Sequence, residues 1–195
     1  MNAVRLALEK VVSILPRPVS RRLLTVAQSV RVRVVKHQDI VSRGNCMLLT
    51  NAESQVLLVR HSYTGSSEWG LPGGSVGMRE STIEAAEREI TEELGCRVRG
   101  LHVAGWEASE YWGYRYEATI INGVVEEDPL PDGREVMEAR FFPIYNLPND
   151  IDEPSRDRIS GWAHLLLRGS ATKLLSGNFR TAAIRNNMVR KAPRV

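Results

Sequence analysis

The stretch Gly73–Cys96, GGSVGMRESTIEAAEREITEELGC, decides how this chain folds. The preceding Leu71–Gly74 turn is a cluster of helix breakers, and Glu80–Thr82 supplies acid and hydroxyl groups suited to a helix N-terminus. A helix is therefore predicted to start near Ser81 and to end at Gly95. Between those limits, apolar residues recur at the spacing of one helix face. This apolar stripe consists of Ile83, Ala86, Ile90 and Leu94.

Three carboxylates are concentrated on the same predicted helix. Glu89, Glu92 and Glu93 stand at i, i+3 and i+4, so they are expected to share one helix face. Like charges at these spacings repel, whereas clustered carboxylate oxygens bind magnesium together with water and substrate phosphates. The pattern predicts a magnesium site for phosphate chemistry. The alternative interpretation is a solvated acidic helix face.

The spacing of the segment resembles the Nudix box. That pattern is a glycine, five residues, a glutamate, seven residues, R-E-apolar, one residue, E-E, one residue, then G-apolar. All nine specified positions, over 23 residues, are filled, which makes the match a specific signal. These positions are Gly74, Glu80, Arg88, Glu89, Ile90, Glu92, Glu93, Gly95 and Cys96. Two features depart from the family: Cys96 replaces the usual aliphatic residue, and Gly77 stands where many relatives carry an acid.

The resemblance implies a fold, a cofactor and a set of catalytic residues. The fold is the α/β Nudix fold, in which a mixed β-sheet is sandwiched between α-helices. The cofactor is Mg²⁺, with Mn²⁺ as a substitute, and the implied ligands are Glu89, Glu92 and Glu93. A carboxylate would accept a proton from the attacking water, and Glu92, Glu93 and Glu135 are all candidates. Arg88 is expected to orient these glutamates by charge-assisted bonds.

Resemblance to the family extends on both sides of the box. A strand ending at Arg60, a polar loop and Trp69–Gly74 precede it, as in many members. We therefore expect Arg60, Trp69, Gly73 and Gly74 to contact substrate, although a surface salt bridge is an equal interpretation for Arg60. His61, beside it, is interpreted as a loop residue.

An acidic segment before a late apolar strand also resembles the family. Such an acid often supplies a further metal ligand or the catalytic base. Glu135 and Glu138 are the candidates, and Glu135 is preferred. The remaining acids, Glu80 and Glu138, are assigned supporting roles beside the ligands.

The implied reaction is hydrolysis of the pyrophosphate linkage in a nucleoside diphosphate joined to another group, such as a nucleoside triphosphate or a nucleotide sugar. The alternative, from another class of protein, is a Nudix-like sensor that binds a nucleotide derivative without cleaving it. The complete carboxylate set argues against a sensor, because a pure binding module has no reason to keep it.

Composition and charge are those of a globular protein with basic ends. Of 195 residues, 43% are apolar and 25% charged, and two cysteines lie far apart, so a reduced, cytoplasmic protein is expected. Residues 1–36 carry eight Lys or Arg and one acid, and residues 180–195 carry five and none. Since the whole chain is +3, the segment between them has a net charge of −9.

The domain organisation follows from these charges and from the box. We expect a basic, helical N-terminal extension over 1–39, a Nudix hydrolase domain over 40–168 and a basic C-terminal tail over 169–195. The extension is predicted to contain a helix over 3–15 and a second short helix capped by Ser20. It is interpreted as a helical hairpin packed on the domain or on a second subunit in a homodimer. Contact of the basic ends with a membrane surface or nucleic acid is the alternative.

Outside the box, alternating apolar residues predict strands. They are expected over 31–35, 46–49, 55–60, 98–108 and 111–121. Asn122-Gly123 is a tight-turn signal. Trp112, Tyr114 and Tyr116 fall on one strand face. They are interpreted as part of a packed sheet face, and stacking on a nucleobase is the alternative. Pro154 is predicted at the start of a final docking helix.

Overall fold

A computed structural model gives the structure of residues 15–38, 41–63, 67–77, 79–111 and 114–167. The helices are α1 (Arg17–Gln38), α2 (Thr82–Glu89), which continues as a π turn over Ile90–Leu94, and α3 (Glu153–Leu167). The strands are β1 (Ser42–Thr50), β2 (Gln55–His61), β3 (Gly73–Ser75), β4 (Val98–Tyr111), β5 (Tyr114–Val125) and β6 (Val136–Pro143).

The strands form one mixed sheet in the order β4-β5-β1-β2-β6, with β3 paired to β1. β1 runs parallel to β5, whereas its pairings with β2 and β3 are antiparallel. A parallel pair needs a long crossover, and the segment carrying α2 and β4 provides it. The predicted α/β fold with a mixed sheet between helices is confirmed.

Alternation along the central strands separates two apolar cores. Met47 and Leu49 of β1 pack on the face covered by α2, together with Leu57 and Val59 of β2. The residues between them on the same strands pack on the opposite face, which α3 covers. Any polar side chain on β1 or β2 is thereby assigned to the α2 face or to the α3 face by its position alone.

The N-terminal helix α1 corrects two sequence predictions. Ser20 does not cap a helix, because it lies inside α1 and its hydroxyl donates to the carbonyl of Pro16 at 3.3 Å. Residues 31–35, predicted as a strand, belong to the same helix. Pro18 is accommodated in the first turn, where a helix has no need of its missing N–H. The helix predicted over 3–15 lies outside the described residues.

The predicted tight turn at Asn122-Gly123 is also wrong. Both residues lie inside β5. A Cβ on Gly123 would stand 2.6 Å from Val98 Cγ1 and 2.8 Å from Leu101 Cδ2, so this glycine permits close packing against β4. Trp112 and the side chain of Tyr114 lie outside the described part, and the predicted aromatic face stays a prediction.

The final helix α3 begins as predicted beside Pro154. Asp152 caps it, because its Oδ1 accepts the amide of Ser155 at 2.7 Å. The Ser155 hydroxyl oxygen in turn accepts the amide of Leu71 at 2.8 Å, which fixes the turn that leads into the box. Within the described residues, none of the helices is long and apolar enough to cross a membrane.

Candidate active site

The predicted start of α2 is confirmed by a reciprocal capping box. The Ser81 hydroxyl accepts the amide of Glu84 at 3.2 Å, and the Glu84 carboxylate accepts the amide of Ser81 at 2.7 Å. These bonds lower the pKa of Glu84. Gly95 ends the segment in the left-handed conformation, with φ +57°. The box helix therefore has defined ends, which fixes the direction in which its glutamates project.

The last turn of this segment is a π turn, which the sequence did not reveal. The amide of Gly95 donates to the carbonyl of Ile90, five residues earlier, at 2.9 Å. Glu89 and Glu93 are buried, each 5% exposed, whereas the Glu92 side chain is 51% exposed. A regular helix would place the three glutamates on one face. In the structure, two are buried and one is exposed.

Arg88 links four groups at the edge of this site. Its Nε and Nη2 donate to the Glu80 carboxylate at 3.2 and 3.0 Å, and Nη2 also donates to the Ser75 carbonyl at 3.2 Å. Nη1 lies 2.9 Å from Glu89 Oε1 and 3.3 Å from Glu92 Oε2. Burial alone would lower the pKa of Arg88, but Glu80 and Glu89 raise it, so the guanidinium stays charged.

Glu80 also holds the loop that precedes the helix. Its Oε1 accepts the amide of Gly77 at 2.6 Å, and a Cβ on Gly77 would stand 2.7 Å from that oxygen. A larger residue at position 77 would therefore require the Glu80 carboxylate to shift. Glu80 therefore links this loop to Arg88.

The glycine pair before the helix allows close approach of backbone and side chains. The amide of Gly74 donates to Asn45 Oδ1 at 2.7 Å, and Asn45 is 2% exposed beneath it. A Cβ on Gly73 would stand 2.5 Å from the Asn45 carbonyl, and one on Gly74 would overlap the Glu89 carboxylate. Asn45 is a site neighbour that the sequence did not single out.

We expect Gly74→Ala to displace Glu89 and lower the melting temperature. Overpacking of this kind costs about 1–3 kcal/mol, or roughly 2–12 °C for a chain of this size. Gly105→Ala is the matched control, because a Cβ there meets nothing within 4 Å. Thermal denaturation of both variants tests the prediction, and equal melting temperatures would contradict it.

An acidic loop over 130–136 docks on the π turn. The amide of Leu130 donates to the Leu94 carbonyl at 2.6 Å, and that of Asp132 donates to the Glu93 carbonyl at 3.0 Å. These bonds satisfy carbonyls that a helix C-terminus leaves unpaired. The loop therefore lies directly against the residue that carries the buried Glu93 carboxylate.

Asp132 organises this loop and was missed by the sequence analysis. Its Oδ1 accepts the amides of Arg134, Glu135 and Val136 at 3.0, 3.1 and 2.9 Å. The signal that identifies it is Pro131-Asp132-Gly133, a turn sequence in which the aspartate caps the following backbone. The turn brings Glu135 to the buried glutamates.

Glu93 lies among other carboxylates. Burial raises its pKa well above the ordinary value, and the charges of Glu89, Glu135 and Asp132 raise it further. Hydrogen bonding between the Glu93 and Glu89 side chains raises the pKa of Glu93 in the same direction. Its Oε2 is buried and has no hydrogen-bond partner among the described residues. The site is therefore rich in acidic groups, and one carboxylate oxygen, Glu93 Oε2, is left without a hydrogen-bond donor in the part of the chain that the structure describes.

His61 contacts the same loop from the end of β2. Burial lowers its pKa to about 4, against the opposing effects of the Glu135 backbone and the Asp132 charge. The ring is therefore neutral at pH 7 and supports the loop as an uncharged group.

Arg60, Trp69 and Glu138 are not brought to these carboxylates. Arg60 is placed by alternation on the α3 face, where its Cζ lies 4.5 Å from the Trp69 ring centroid. Its Nη1 contacts Glu138 Oε1 at 3.2 Å and its Nη2 contacts Asp150 Oδ2 at 2.5 Å. Trp69 is 3% exposed and packs against Phe142. The salt-bridge interpretation of Arg60 therefore agrees with the structure, and these three residues lie across the sheet from Glu93.

Residues 42–162, which include the sheet, the box helix and the acidic loop, match a model of the NUDIX domain family. The chain belongs to the Nudix family. It is similar to the protein named "Putative mutator protein MutT4" of Mycobacterium tuberculosis, with 27% identity over 128 residues, which are 60% of this chain and 49% of that protein.

Two further similarities concern nucleotide derivatives. The CMP-5'-(N-acetyl-N-hydroxy-3-aminopropyl)phosphonate hydrolase of Streptomyces rubellomurinus is 28% identical over 121 residues, which are 56% of each chain. This Nudix chain thus spans about half the length of both curated relatives. The solved NUDIX domain of Shewanella oneidensis NrtR, complexed with ADP ribose, has a TM-score of 0.56 at 16% identity, over 65% of this chain and 89% of that one.

The carboxylates fit a divalent cation of the kind that keeps part of its water shell. Among the described residues, no three His, Cys, Asp or Glu side chains are grouped closely enough to hold a metal ion by themselves. Magnesium is typically bound by one or two carboxylates, with waters and substrate phosphates completing its shell. Glu89 and Glu93, with the unsatisfied Glu93 Oε2, match that partial donor set.

Proposed function

We propose that this chain is a magnesium-dependent hydrolase that cleaves the pyrophosphate linkage of a nucleoside diphosphate joined to another group. The observation that carries the proposal is the buried Glu93, with an unpartnered oxygen, beside Glu89 and Glu135. Burying carboxylates together costs stability unless a partner compensates for it. A bound cation would provide that compensation, which gives a reason for this costly arrangement within a complete Nudix box.

Glu89, Glu92 and Glu93 would hold the metal. When bound, Mg²⁺ neutralises charge on the diphosphate oxygens and makes water a better nucleophile at neutral pH. Mn²⁺ accepts the same oxygen ligands and is expected to substitute for it.

The chain's own residues supply orientation and a proton acceptor. Arg88 contacts Glu89 and Glu92 through Nη1. Its Nη2 donates to Glu80, which fixes the orientation of the guanidinium. Glu135 is half-buried beside Glu93 and would accept a proton at its carboxylate. Gly74 stays in the proposed site because it leaves room for the Glu89 side chain, and Gly73 because it leaves room for the Asn45 carbonyl. Contact of Arg60 and Trp69 with substrate, and a supporting role for Glu138, stay predictions.

We further propose that residues 40–168 form the hydrolase unit in the cytoplasm, between the basic segments 1–39 and 169–195. Cys46 and Cys96 are both buried and free, and burial raises the pKa of each thiol to about 11, so neither is a reactive thiolate at neutral pH. Formation of a homodimer and contact of the basic ends with a membrane or nucleic acid stay predictions.

Removal of the metal distinguishes the hydrolase hypothesis from the sensor hypothesis. The protein would be incubated with nucleoside triphosphates, nucleotide sugars, ADP-ribose and dinucleoside polyphosphates, with Mg²⁺ or with EDTA. We expect hydrolysis of at least one compound with Mg²⁺ and none with EDTA. Tight binding of a compound by calorimetry, with no cleavage under either condition, would contradict the enzyme and favour the sensor.

A further inference from the structure

The acidic loop 130–136 is held by three different elements. The π turn binds it through the carbonyls of Glu93 and Leu94. The end of β2 binds it through Ser62, whose amide donates to the Glu135 carbonyl at 2.9 Å and whose hydroxyl donates to the Arg134 carbonyl at 2.5 Å. Helix α1 provides the third set of bonds, to Gly133.

The bonds from α1 come from Arg21. Its Nη2 and Nε donate to the Gly133 carbonyl at 3.0 and 3.3 Å, across 112 positions of sequence. The contact is partly buried, and bonds from a charged donor are stronger than neutral ones. Leu24 and Ser20, both buried, lie on the docked side of the same helix. Because α1 precedes residues 42–162, Arg21 lies outside the part of the chain that matches the family model, whereas Gly133 lies within it.

Gly133 is the point at which the loop reverses its path. It adopts φ +68°, and its amide donates to the Val136 carbonyl at 2.9 Å. The amides of the next three residues donate hydrogen bonds to the Asp132 carboxylate. A shift of the Gly133 carbonyl would therefore disturb the turn that carries Glu135.

We propose that Arg21 is a positioning residue for Glu135. By holding the Gly133 carbonyl, it keeps the Asp132 turn closed and the Glu135 carboxylate beside Glu93. Arg21 acts through the backbone of the loop and does not contact the reacting groups. The N-terminal helix thereby contributes to the proposed active site, and this inference rests on the proposed hydrolase function.

The first test measures the loop itself and requires no turnover. Arg21→Met keeps the apolar stem and removes the donors, and Arg22→Met is the matched control because Arg22 is an exposed neighbour on α1. Hydrogen exchange of the amides of residues 134–136 is expected to be about tenfold faster in Arg21→Met and unchanged in Arg22→Met. Equal protection in the wild type and Arg21→Met would overturn the proposal.

The second test is a double-mutant cycle with Glu135→Gln, on the compound cleaved fastest. Arg21→Met is expected to lower kcat about tenfold with KM within twofold of wild type, and Arg21→Lys to restore part of the loss. In the Glu135→Gln background, Arg21→Met should have no further effect. An equal fall in kcat in both backgrounds would assign Arg21 a general structural role and overturn the proposal. If the wild type cleaves nothing, the hydrolase function fails, and hydrogen exchange alone decides whether Arg21 holds the loop.

Discussion

Glu93→Gln is expected to lower kcat/KM about 1,000-fold and, in the absence of metal, to raise the melting temperature at neutral pH. The loss of activity follows because the amide removes a charged metal ligand from the centre of the site. The gain in stability follows because the amide removes a carboxylate that is buried beside Glu89, Glu135 and Asp132. Opposite signs for activity and stability distinguish a functional carboxylate from a structural one.

The sign of the pH dependence follows from the raised pKa of Glu93. In the unfolded chain a glutamate ionises near pH 4.3, whereas the folded chain retains the proton to higher pH. Stability is therefore lost as the pH rises from about 4.3 through the folded pKa. In EDTA, the variant should melt about 3 °C or more above the wild type at pH 7, and the two should converge as the pH approaches 4.5.

Glu87→Gln is the matched control for this prediction. Glu87 is an exposed glutamate on the same helix, and its variant should follow the wild type in both melting temperature and rate. Thermal scans between pH 4.5 and 8, with rates measured on the same preparations, provide the data. A constant difference between Glu93→Gln and wild type at every pH would rule out Glu93 ionisation as its cause.

Arg88→Met is expected to lower kcat/KM about 100-fold and to destabilise the fold. The substitution leaves Glu80, Glu89 and Glu92 without the cation they share. Breaking a fully buried ion pair costs about 3–5 kcal/mol, and about 2 kcal/mol is expected here because a quarter of the Arg88 side chain is exposed.

Arg99→Met provides the comparison for Arg88. Arg99 pairs with Glu126 at 3.6 Å on the surface, and such pairs contribute at most about 1 kcal/mol. Denaturant unfolding and steady-state kinetics on both variants measure the two effects. Wild-type turnover in Arg88→Met would show that the glutamates are positioned without it.

The box helix could be predicted from local sequence because its signals are local. Ser81 and Glu84 cap each other across three residues, and Gly95 adopts the conformation that glycine prefers. The apolar residues from Ile83 to Leu94 repeat at about 3.6 residues, the period of one helix face. The π turn was not predicted, because the apolar stripe and the glycine end are those of a regular helix, and only the hydrogen bond from Gly95 to Ile90 distinguishes the two.

The assignment of side chains to faces of the sheet required the structure. Arg60 and His61 are adjacent, yet Arg60 stacks on Trp69 across the sheet, while His61 contacts the loop that carries Glu135. A register shift against β6 occurs between them. Such a bulge has no marker in a single sequence, and the substrate roles expected for Arg60 and Trp69, which rested on the family resemblance, stay predictions.

Residues 31–35 were mispredicted because two periods coincide. Val30, Val32 and Val34 alternate as in a strand, while Val26, Val30 and Val34 repeat every four residues, as on a helix. Helix α1 contains no breaker after Pro18 in its first turn, and the helical period applies. Arg21 could not be recognised either, since its bond to Gly133 spans 112 positions.

The most direct test of the account is the magnesium dependence of hydrolysis by the wild type and by Glu93→Gln. The compound cleaved fastest in the screen would be supplied at saturation, and the initial rate measured against Mg²⁺ concentration for both folded proteins. We expect a saturable rise for the wild type and a rate about 1,000-fold lower for the variant at every concentration. Equal rates in the two proteins, or a wild-type rate that persists in EDTA, would contradict it.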